Sequence, residues 1–325
     1  MSLAAGIAES TVRLATPLLL AAMGEVIAER SGVLNLGVEG MMVAGALTGF
    51  VVTFLTGSAW IGLFAGMLAG ATLAFLHAVL CVTLKADQVI SGIMITLLGV
   101  GITTYFSSDA NRLVGGSIDG FSTTAIPLLS EIPIIGQALF SITTIDYIAL
   151  LLVPFVWFFL FRTNIGAEIT AVGEDPEAAD TAGVPIFRIQ YACVLLGGLL
   201  AGAGGAHLTL AANNFWATEI TAGRGWIAVA LVIFAQWSIW KLVFGAWLFG
   251  AVDALSIRAS GSLGEDLLGE GFFASVLDFL SNSQVMETYP FIVTILVLWW
   301  VMRQGNLNEL GAPRALLQPY SRERD

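Results

Sequence analysis

The chain has 325 residues, of which 57% are hydrophobic and 11% are charged, and its net charge is −11. Soluble domains carry about 25% charged residues, so this composition, with a mean hydropathy of +0.86, excludes an ordinary soluble protein. Only 13 residues are basic, which argues against nucleic acid as a partner because phosphate contacts need Lys and Arg. Cys81 and Cys193 lie in apolar runs, which predicts buried thiols rather than a disulfide or a metal site.

Apolar runs of close to 20 residues predict helices that cross about 30 Å of hydrocarbon, whereas barrel strands alternate over about ten residues. We expect an all-α polytopic bundle that forms one membrane domain over residues 1–325. About nine spans (8–10) are predicted, at 11–28, 36–55, 59–84, 88–108, 144–161, 187–210, 225–240, 241–257 and 288–302. The third is long enough to tilt or to contain an interfacial turn. A tight turn near Trp240 and Lys241 leaves open a re-entrant pair in place of one span.

The basic residues predict the orientation of the bundle. With the N-terminus outside and the C-terminus in the cytoplasm, the inner connections and the tail hold more Lys and Arg than the outer ones, as the positive-inside rule requires. The inner set is Arg30, Lys85, Arg162, Arg188, Lys241, Arg303, Arg314, Arg322 and Arg324, and the outer set is Arg13, Arg112, Arg224 and Arg258.

Glycines recur at four-residue spacing within the spans, a pattern that lets helices approach closely in lipid. The stripes are Gly62, Gly66 and Gly70; Gly45 and Gly49; and Gly198 and Gly202. Packing inside one bundle is a more frequent use of such stripes than a seam between subunits.

The residues of enzymatic sites are missing from the sequence. A phosphate-binding loop needs Gly-Lys followed by Ser or Thr, but Leu84 and Trp240 precede the only lysines, Lys85 and Lys241. Neither a His-Glu-x-x-His zinc motif nor a Gly-x-Ser-x-Gly elbow occurs. We therefore predict no intrinsic enzyme and no metal site. Three classes stay open: a permease energised by a partner ATPase, an ion-coupled carrier, or a channel.

Ionisable side chains inside spans are the residues that a carrier would use, and they must lie near span ends or face a cavity. The candidates are Glu25, Glu39, His77 and Asp253. Glu25 and Glu29 are one helical turn apart, so anchoring at the membrane interface, with local pairing to Arg30, is preferred to a proton relay. His77 is interpreted as a packing residue.

The loop 163–185 ends in a predicted short helix. Asp175 is placed to cap it, Pro176 fits its first position, and Glu177 favours the positive end of the helix dipole. Gly183 suits its C-terminal cap and Pro185 blocks its continuation. Because two turns of helix are unstable alone in water, this helix either packs on the membrane domain or docks into a partner.

Two polar segments are candidates for contact with a solute. The segment 31–40, SGVLNLGVEG, interrupts the apolar runs, and Asn35 is its best hydrogen-bonding side chain; Glu39 either contacts solute or caps a helix start. A second cluster follows the sixth predicted span and consists of Asn213, Asn214, Trp216 and Glu219. An ordinary capped loop explains this cluster equally well.

Three segments in order, 29–42, 171–183 and 223–234 followed by 245–250, resemble the permeases of ABC importers for nucleosides and simple sugars. The resemblance extends over nearly the whole chain, and 109–143 and 258–287 are its least diagnostic parts. The amino-acid sequence of 31–40 is most similar to that of the nucleoside branch. A start directly at the first predicted span, without the extra N-terminal span of ribose-type permeases, also fits that branch.

The resemblance implies a multi-pass subunit of the bacterial cytoplasmic membrane that moves nucleosides, with a simple sugar such as ribose as the alternative. An ion-coupled carrier is the second alternative, left open by the residues themselves. It implies a coupling helix near 174–183 that inserts into a cytoplasmic ABC ATPase subunit, formed by Glu174, Asp175, Pro176, Glu177, Ala178, Ala179 and Gly183. That ATPase would bind ATP and Mg, with no cofactor in this chain. A second, paralogous permease and an extracytoplasmic solute-binding protein are the other implied partners.

Overall fold

The computed structural model describes residues 3–113, 118–132, 135–258 and 311–321, with the single positions 292, 295, 296, 299 and 303. The described chain is mostly helical. Its helices are α1 (Leu3–Arg30), α2 (Val38–Thr56), α3 (Ala59–Ala78), α4 (Gln88–Leu113), α5 (Ile135–Phe140), α6 (Thr144–Arg162), α7 (Asn164–Glu174), α8 (Pro176–Thr181), α9 (Ile186–His207), α10 (Arg224–Ala235) and α11 (Ile239–Arg258). π-Helical segments, Val79–Thr83 and Leu208–Ala212, continue α3 and α9.

A two-stranded sheet departs from the all-α expectation. Strands β1 (Thr123–Ala125) and β2 (Ser141–Thr143) pair antiparallel, with Thr124 opposite Ile142. The sheet lies in the connection before α6, where no apolar periodicity indicated a regular element. Thr143 then caps α6 in a capping box, because Asp146 accepts a hydrogen bond from the Thr143 N–H at 3.0 Å.

Within the described residues, six helices are long and apolar enough to cross a membrane: Gly6–Arg30, Val38–Thr56, Ala59–Thr83, Gln88–Ser107, Thr144–Arg162 and Ile186–Ala212. They coincide with the first six predicted spans, with ends that differ by a few residues. The third span is continuous and ends in its π-helical turn. The ninth predicted span, 288–302, lies largely outside the described residues, so the count of nine stays a prediction.

The prediction for the seventh and eighth spans was wrong in its turn position. The chain breaks at 236–238, where Gln236 and Trp237 have φ of +53° and +54°, whereas Trp240 and Lys241 lie in the first turn of α11. α10 has 12 residues and is therefore about 18 Å long, too short to cross about 30 Å of hydrocarbon. This geometry favours the re-entrant alternative for α10.

The glycine stripes pack helices α2, α3 and α9 against one another, as the internal-packing interpretation predicted. A Cβ on Gly45 would lie 2.4 Å from the carbonyl oxygen of Gly202, and one on Gly202 would lie 2.4 Å from that of Gly66. A Cβ on Gly70 would meet the Gly198 oxygen at 2.3 Å. Dispersion between backbones in contact is what holds helices together in lipid, so these glycines set the centre of the bundle.

The ends of the helices define two ends of the bundle. α1 finishes at Arg30 beside α7, and the segment 311–321 lies on the same side, where the Ala315 N–H donates to the Gly173 carbonyl at 2.8 Å. We call this side the α8 end. α6 runs from β2 at the opposite end toward α7 at the α8 end.

Candidate functional site

The interruption between α1 and α2 is a turn that folds back into the protein. Gly32, with φ of +87°, reverses the chain after α1, a conformation that suits glycine. The Asn35 Oδ1 accepts from the Gly37 N–H at 3.0 Å, and the Asn35 N–H donates to Glu25 Oε1 at 2.8 Å. Asn35 is fully buried. The structure therefore places this predicted path residue inside the turn, where its polar groups shape the backbone.

Glu39 caps a helix start, but the helix is α10 rather than its own. The carboxylate accepts from Thr221 Oγ1 at 2.5 Å and from the Gly223 N–H at 3.1 Å. Its second oxygen accepts from the Gly225 N–H at 2.6 Å. A carboxylate at a helix N-terminus satisfies free N–H groups and complements the positive end of the dipole. This confirms the capping interpretation of Glu39, across 182 residues of chain.

A cavity of 380 Å³ lies against this capped helix start. Its walls come from α2, from the half of α4 far from the α8 end and from the connection before α10: Glu39, Val43, Val100, Thr103, Thr104, Ser107, Trp216, Thr218, Glu219, Thr221, Ala222 and Gly223. The volume falls within the range of about 300–1,000 Å³ that is typical of small-molecule sites. Its walls combine apolar side chains, several hydroxyl groups and the exposed carboxylate of Glu219, a lining that can hold a polar solute without a negative charge.

Three residues from the two predicted polar segments line the cavity: Glu39, Trp216 and Glu219. The buried Trp216 indole N–H donates to Ser107 Oγ at 3.0 Å, which fixes the ring against α4. Sequence reasoning missed Thr103 and Ser107. The sequence contained a pattern that indicates them, because two hydroxyl residues spaced i, i+4 in an apolar span lie on one helix face.

Asn213 and Asn214 lie near the cavity but do not line it, and both form hydrogen bonds with backbone groups. The Asn213 amide donates to the Leu208 carbonyl at 3.0 Å and closes the π-helical segment. Asn214, with φ of +58°, accepts the Ile118 N–H at its carbonyl. For these two residues the loop interpretation describes the observed contacts.

Glu25 and Glu29 are buried in the protein, so the prediction that they anchor at the membrane interface was wrong. Both side chains are at most 1% exposed. Glu29 Oε2 accepts the Trp237 indole N–H at 2.6 Å. Arg30 instead places its guanidinium 4.4 Å from the centre of the Phe161 ring, and no ion pair joins it to either glutamate among the described residues. Glu29 thus fastens α1 to the 236–238 break, whereas Glu25 accepts from the Asn35 N–H in the turn after α1.

The other ionisable candidates also bind within the protein. His77 lies 3.0 Å from both Ser91 Oγ and the Leu34 carbonyl, as expected for a packing histidine. Asp253 pairs with Arg224 at 3.0 Å, which ties the start of α10 to the last turns of α11. Both cysteines are buried free thiols, as predicted.

The predicted short helix is present as α8. Asp175 caps it by accepting the Ala178 N–H at 2.9 Å, and Pro176 occupies its first turn. The C-cap residue is Ala182 rather than Gly183. Gly183, with φ of +85°, follows it, and the N–H groups of Gly183 and Val184 donate back to the carbonyls of Asp180 and Ala179. This is the Schellman arrangement. α7, capped by Thr163, precedes α8 and was not predicted.

The two alanines of α8 lie on different faces of the helix. Ala179 is 4% exposed and packs into the protein, whereas Ala178 is exposed beside Glu177. Of the two, only Ala178 is therefore open to a partner, and Ala179 belongs to the packing of the bundle itself.

Comparison with known proteins identifies the family. Residues 7–298 match the family described as "Branched-chain amino acid transport system / permease component". The chain is 51% identical to a putative glucose ABC transporter permease protein of Haloferax volcanii, with 100% of both chains covered. It is similar to two guanosine ABC transporter permease proteins of Bacillus subtilis, at 33% identity over 97% of this chain and 96% of the relative, and at 26% over 85% and 81%.

These matches include all three segments that carried the resemblance: 29–42, 171–183, and 223–234 followed by 245–250. Together with six apolar helices in the described part of the fold, they assign a multi-pass transport subunit, not the ATPase of the transporter. The chain belongs to the family of ABC transporter permease components.

Proposed function

We propose that this permease forms one half of the pore of an ATP-driven importer in the cytoplasmic membrane, and that it admits a nucleoside. A paralogous permease supplies the other half. Two guanosine permeases of one organism, Bacillus subtilis, are both similar to this chain, which supports a pair of unequal subunits. A cytoplasmic ATPase subunit binds ATP and Mg, and an extracytoplasmic binding protein delivers the solute.

The cavity beside Glu39 carries this proposal. α4 begins at the α8 end, and its cavity-lining residues from Val100 to Ser107 lie about 18–28 Å along the helix from Gln88. The cavity therefore sits in the half of the bundle away from α8. The short helix α10 starts at the cavity and returns toward the α8 end, where Trp237 meets Glu29. Transporters commonly bind solute at such discontinuous helix starts within the membrane.

α8 is the proposed coupling helix, and this role implies the proposed orientation of the chain. Its capped ends make a short rigid element, and Glu174, Asp175, Glu177 and Ala178 are exposed on it or directly before it. If α8 faces a cytoplasmic ATPase, then the segment 311–321 is also cytoplasmic. α1 ends at the α8 end, so the N-terminus lies outside.

A nucleoside fits the cavity because its parts match two kinds of wall. The Trp216 ring and the side chains of Val43 and Val100 offer apolar surface to a flat base, while the exposed residues Thr104 and Thr218 offer hydroxyl groups to a ribose. Glucose is the second candidate solute. It is favoured by the relative with 51% identity, which is named a putative glucose permease. Glucose has no aromatic base, so a bound glucose would leave the apolar wall of the cavity without a contact.

The test is uptake by proteoliposomes that contain both permeases, the ATPase subunit and the binding protein. We expect ATP-dependent uptake of labelled guanosine, with competition by uridine and little competition by glucose or leucine. Uptake of glucose without entry of or competition by guanosine would overturn the nucleoside assignment and leave the importer intact. Transport by this chain alone on a proton or sodium gradient would overturn the ATP-driven role.

A matched pair of variants tests the cavity. Val100→Trp places a large ring in the cavity and should lower uptake at least tenfold, whereas Ile90→Trp, on the exposed face of the same helix and outside the cavity, should keep it near the wild-type rate. Equal uptake by the two variants would show that solute does not pass through this cavity.

A further inference from the structure

The segment 311–321 is bound across the α8 end of the bundle. The Ala315 N–H donates to the Gly173 carbonyl of α7 at 2.8 Å, and Ala315 is buried. The Tyr320 hydroxyl donates to Asp180 of α8 at 2.8 Å. Ser321 accepts from Lys85 Nζ, in the turn between α3 and α4, at 2.7 Å. One segment of 11 residues therefore joins α7, α8 and the turn between two membrane spans.

Packing reinforces these bonds. The Tyr320 ring lies 6.1 Å from that of Phe187, at the start of α9, and Pro313 and Leu316 lie against the bundle. Gly173 leaves room for the segment, because a Cβ there would meet the Arg30 carbonyl at 2.2 Å and the Pro313 side chain at 3.3 Å. The segment 311–321 therefore packs closely against α7 and the start of α9.

Two open clefts separate α8 from this segment. One, of 620 Å³, lies between the exposed side of α8, including Ala178, and the side chains of Tyr320 and Ser321. The other, of 300 Å³, lies between Pro176 and the turn around Gln318. Both clefts are bounded on one side by the proposed coupling helix and on the other by the C-terminal segment, so a partner that reaches α8 also meets the segment.

The charge of this surface indicates which charge a partner must carry to bind it. Among the described residues that line the clefts, Glu174, Asp175, Glu177 and Asp180 are acidic and Arg314, 3.8 Å from Glu174, is basic; Lys85 reaches the rim at Ser321. Basic side chains on the partner would complement this surface.

We propose that residues 311–321 are the second half of the ATPase docking surface: with α8 they form the clefts that receive a basic face of the ATPase subunit, and the bond from Tyr320 to Asp180 holds α8 in place. The proposal rests on the role of this chain as an importer permease. Because the segment also contacts the turn at Lys85, motion of the ATPase reaches α3 and α4 as well as α7.

The test compares Tyr320→Phe with Tyr147→Phe in the assembled permease pair. Each substitution removes one hydroxyl hydrogen bond and keeps its ring; Tyr147 donates to the Thr124 carbonyl at the opposite end of the bundle. Loss of one such bond corresponds to about a three- to tenfold change in an equilibrium. We expect Tyr320→Phe to weaken binding of the purified ATPase subunit by that factor, to speed hydrogen exchange of the α8 amides, and to raise the ATP hydrolysed per solute imported. Tyr147→Phe should change none of these.

A double variant separates a docking role from general loosening. If Tyr320 acts through Asp180, Asp180→Ala combined with Tyr320→Phe should bind the ATPase subunit no more weakly than Asp180→Ala alone. Wild-type binding, exchange and coupling in Tyr320→Phe would overturn the inference while the importer assignment stands. Failure of the wild-type pair to bind any ABC ATPase subunit would instead overturn the proposed function.

Discussion

Glu39 shows how a single acidic residue is accommodated deep in an apolar bundle. Its carboxylate accepts hydrogen bonds from the backbone N–H groups of Gly223 and Gly225 and from the hydroxyl group of Thr221. Without this carboxylate, N–H groups at the N-terminus of α10 would be left without an acceptor, at a cost of about 1–3 kcal/mol each where they are buried. The residue thus joins α2 to α10 and shapes one wall of the cavity.

Removal of this carboxylate should be costly. Glu39→Ala leaves three donors without their acceptor, so we expect the free energy of unfolding to fall by about 2–4 kcal/mol and uptake to be lost. Glu39→Gln keeps the volume and one acceptor oxygen and should lose less of both. Glu219→Gln, an exposed residue on the same cavity, is the control. Denaturant or thermal unfolding in detergent measures the effect, and wild-type stability of Glu39→Ala would contradict the capping role.

At the scale of elements, α8 is a short helix whose ends are defined locally and whose position is defined by its neighbours. Asp175 and Pro176 begin it, and the turn at Gly183 ends it. Six residues of helix have little stability of their own. Packing of Ala179 and the bond from Tyr320 hold it against the bundle.

The two alanines of α8 should therefore respond differently to a large side chain. Ala178→Trp adds bulk to the exposed face and should block binding of the ATPase subunit, while the thermal midpoint of the permease stays within about 2 °C of wild type. Ala179→Trp overpacks the interior and should lower the free energy of unfolding by about 1–3 kcal/mol before any partner binds. Pull-down of the ATPase subunit and thermal unfolding separate the two outcomes. Full ATPase binding by Ala178→Trp would show that this face is not the docking surface.

At the scale of the whole molecule, backbone contact between α2, α3 and α9 holds the bundle together. Gly202 is central, because α3 approaches it so closely that even one methyl group would meet the Gly66 carbonyl at 2.4 Å. Such a contact can be relieved only by moving one helix away from the other, with loss of the surrounding dispersion contacts.

Gly202→Ala should lower the free energy of unfolding by about 1–3 kcal/mol, although alanine is the better helix former. Gly101→Ala is a matched control within another span, since nothing lies within 4 Å of the Cβ that it would add. There the higher helix propensity should leave stability unchanged or raise it by up to about 1 kcal/mol. Denaturant unfolding of both variants in the same detergent measures the difference in their free energies of unfolding. Equal stability of the two variants would contradict close packing at Gly202.

The amino-acid sequence determined the features that depend on neighbouring residues. Six spans follow from apolar length, α8 from Asp175, Pro176 and Gly183, and the tight packing of three helices from glycines four residues apart. Each of these is a local property, because hydrocarbon thickness, helix capping and side-chain volume act over a few turns of chain. The family resemblance at 29–42 and 171–183 was visible for the same reason.

Only the tertiary structure decided which residues meet across the fold. Glu39 caps a helix 182 residues away, Glu29 bonds Trp237 across 208 residues, and Tyr320 bonds Asp180 across 140. The fold also decided the length of α10 and the position of the turn at 236–238, since the sequence predicted that turn a few residues later, at Trp240 and Lys241. A polar side chain in an apolar bundle must find a partner, but composition does not state which one. The partner is set by the close approach of helices that the whole bundle imposes.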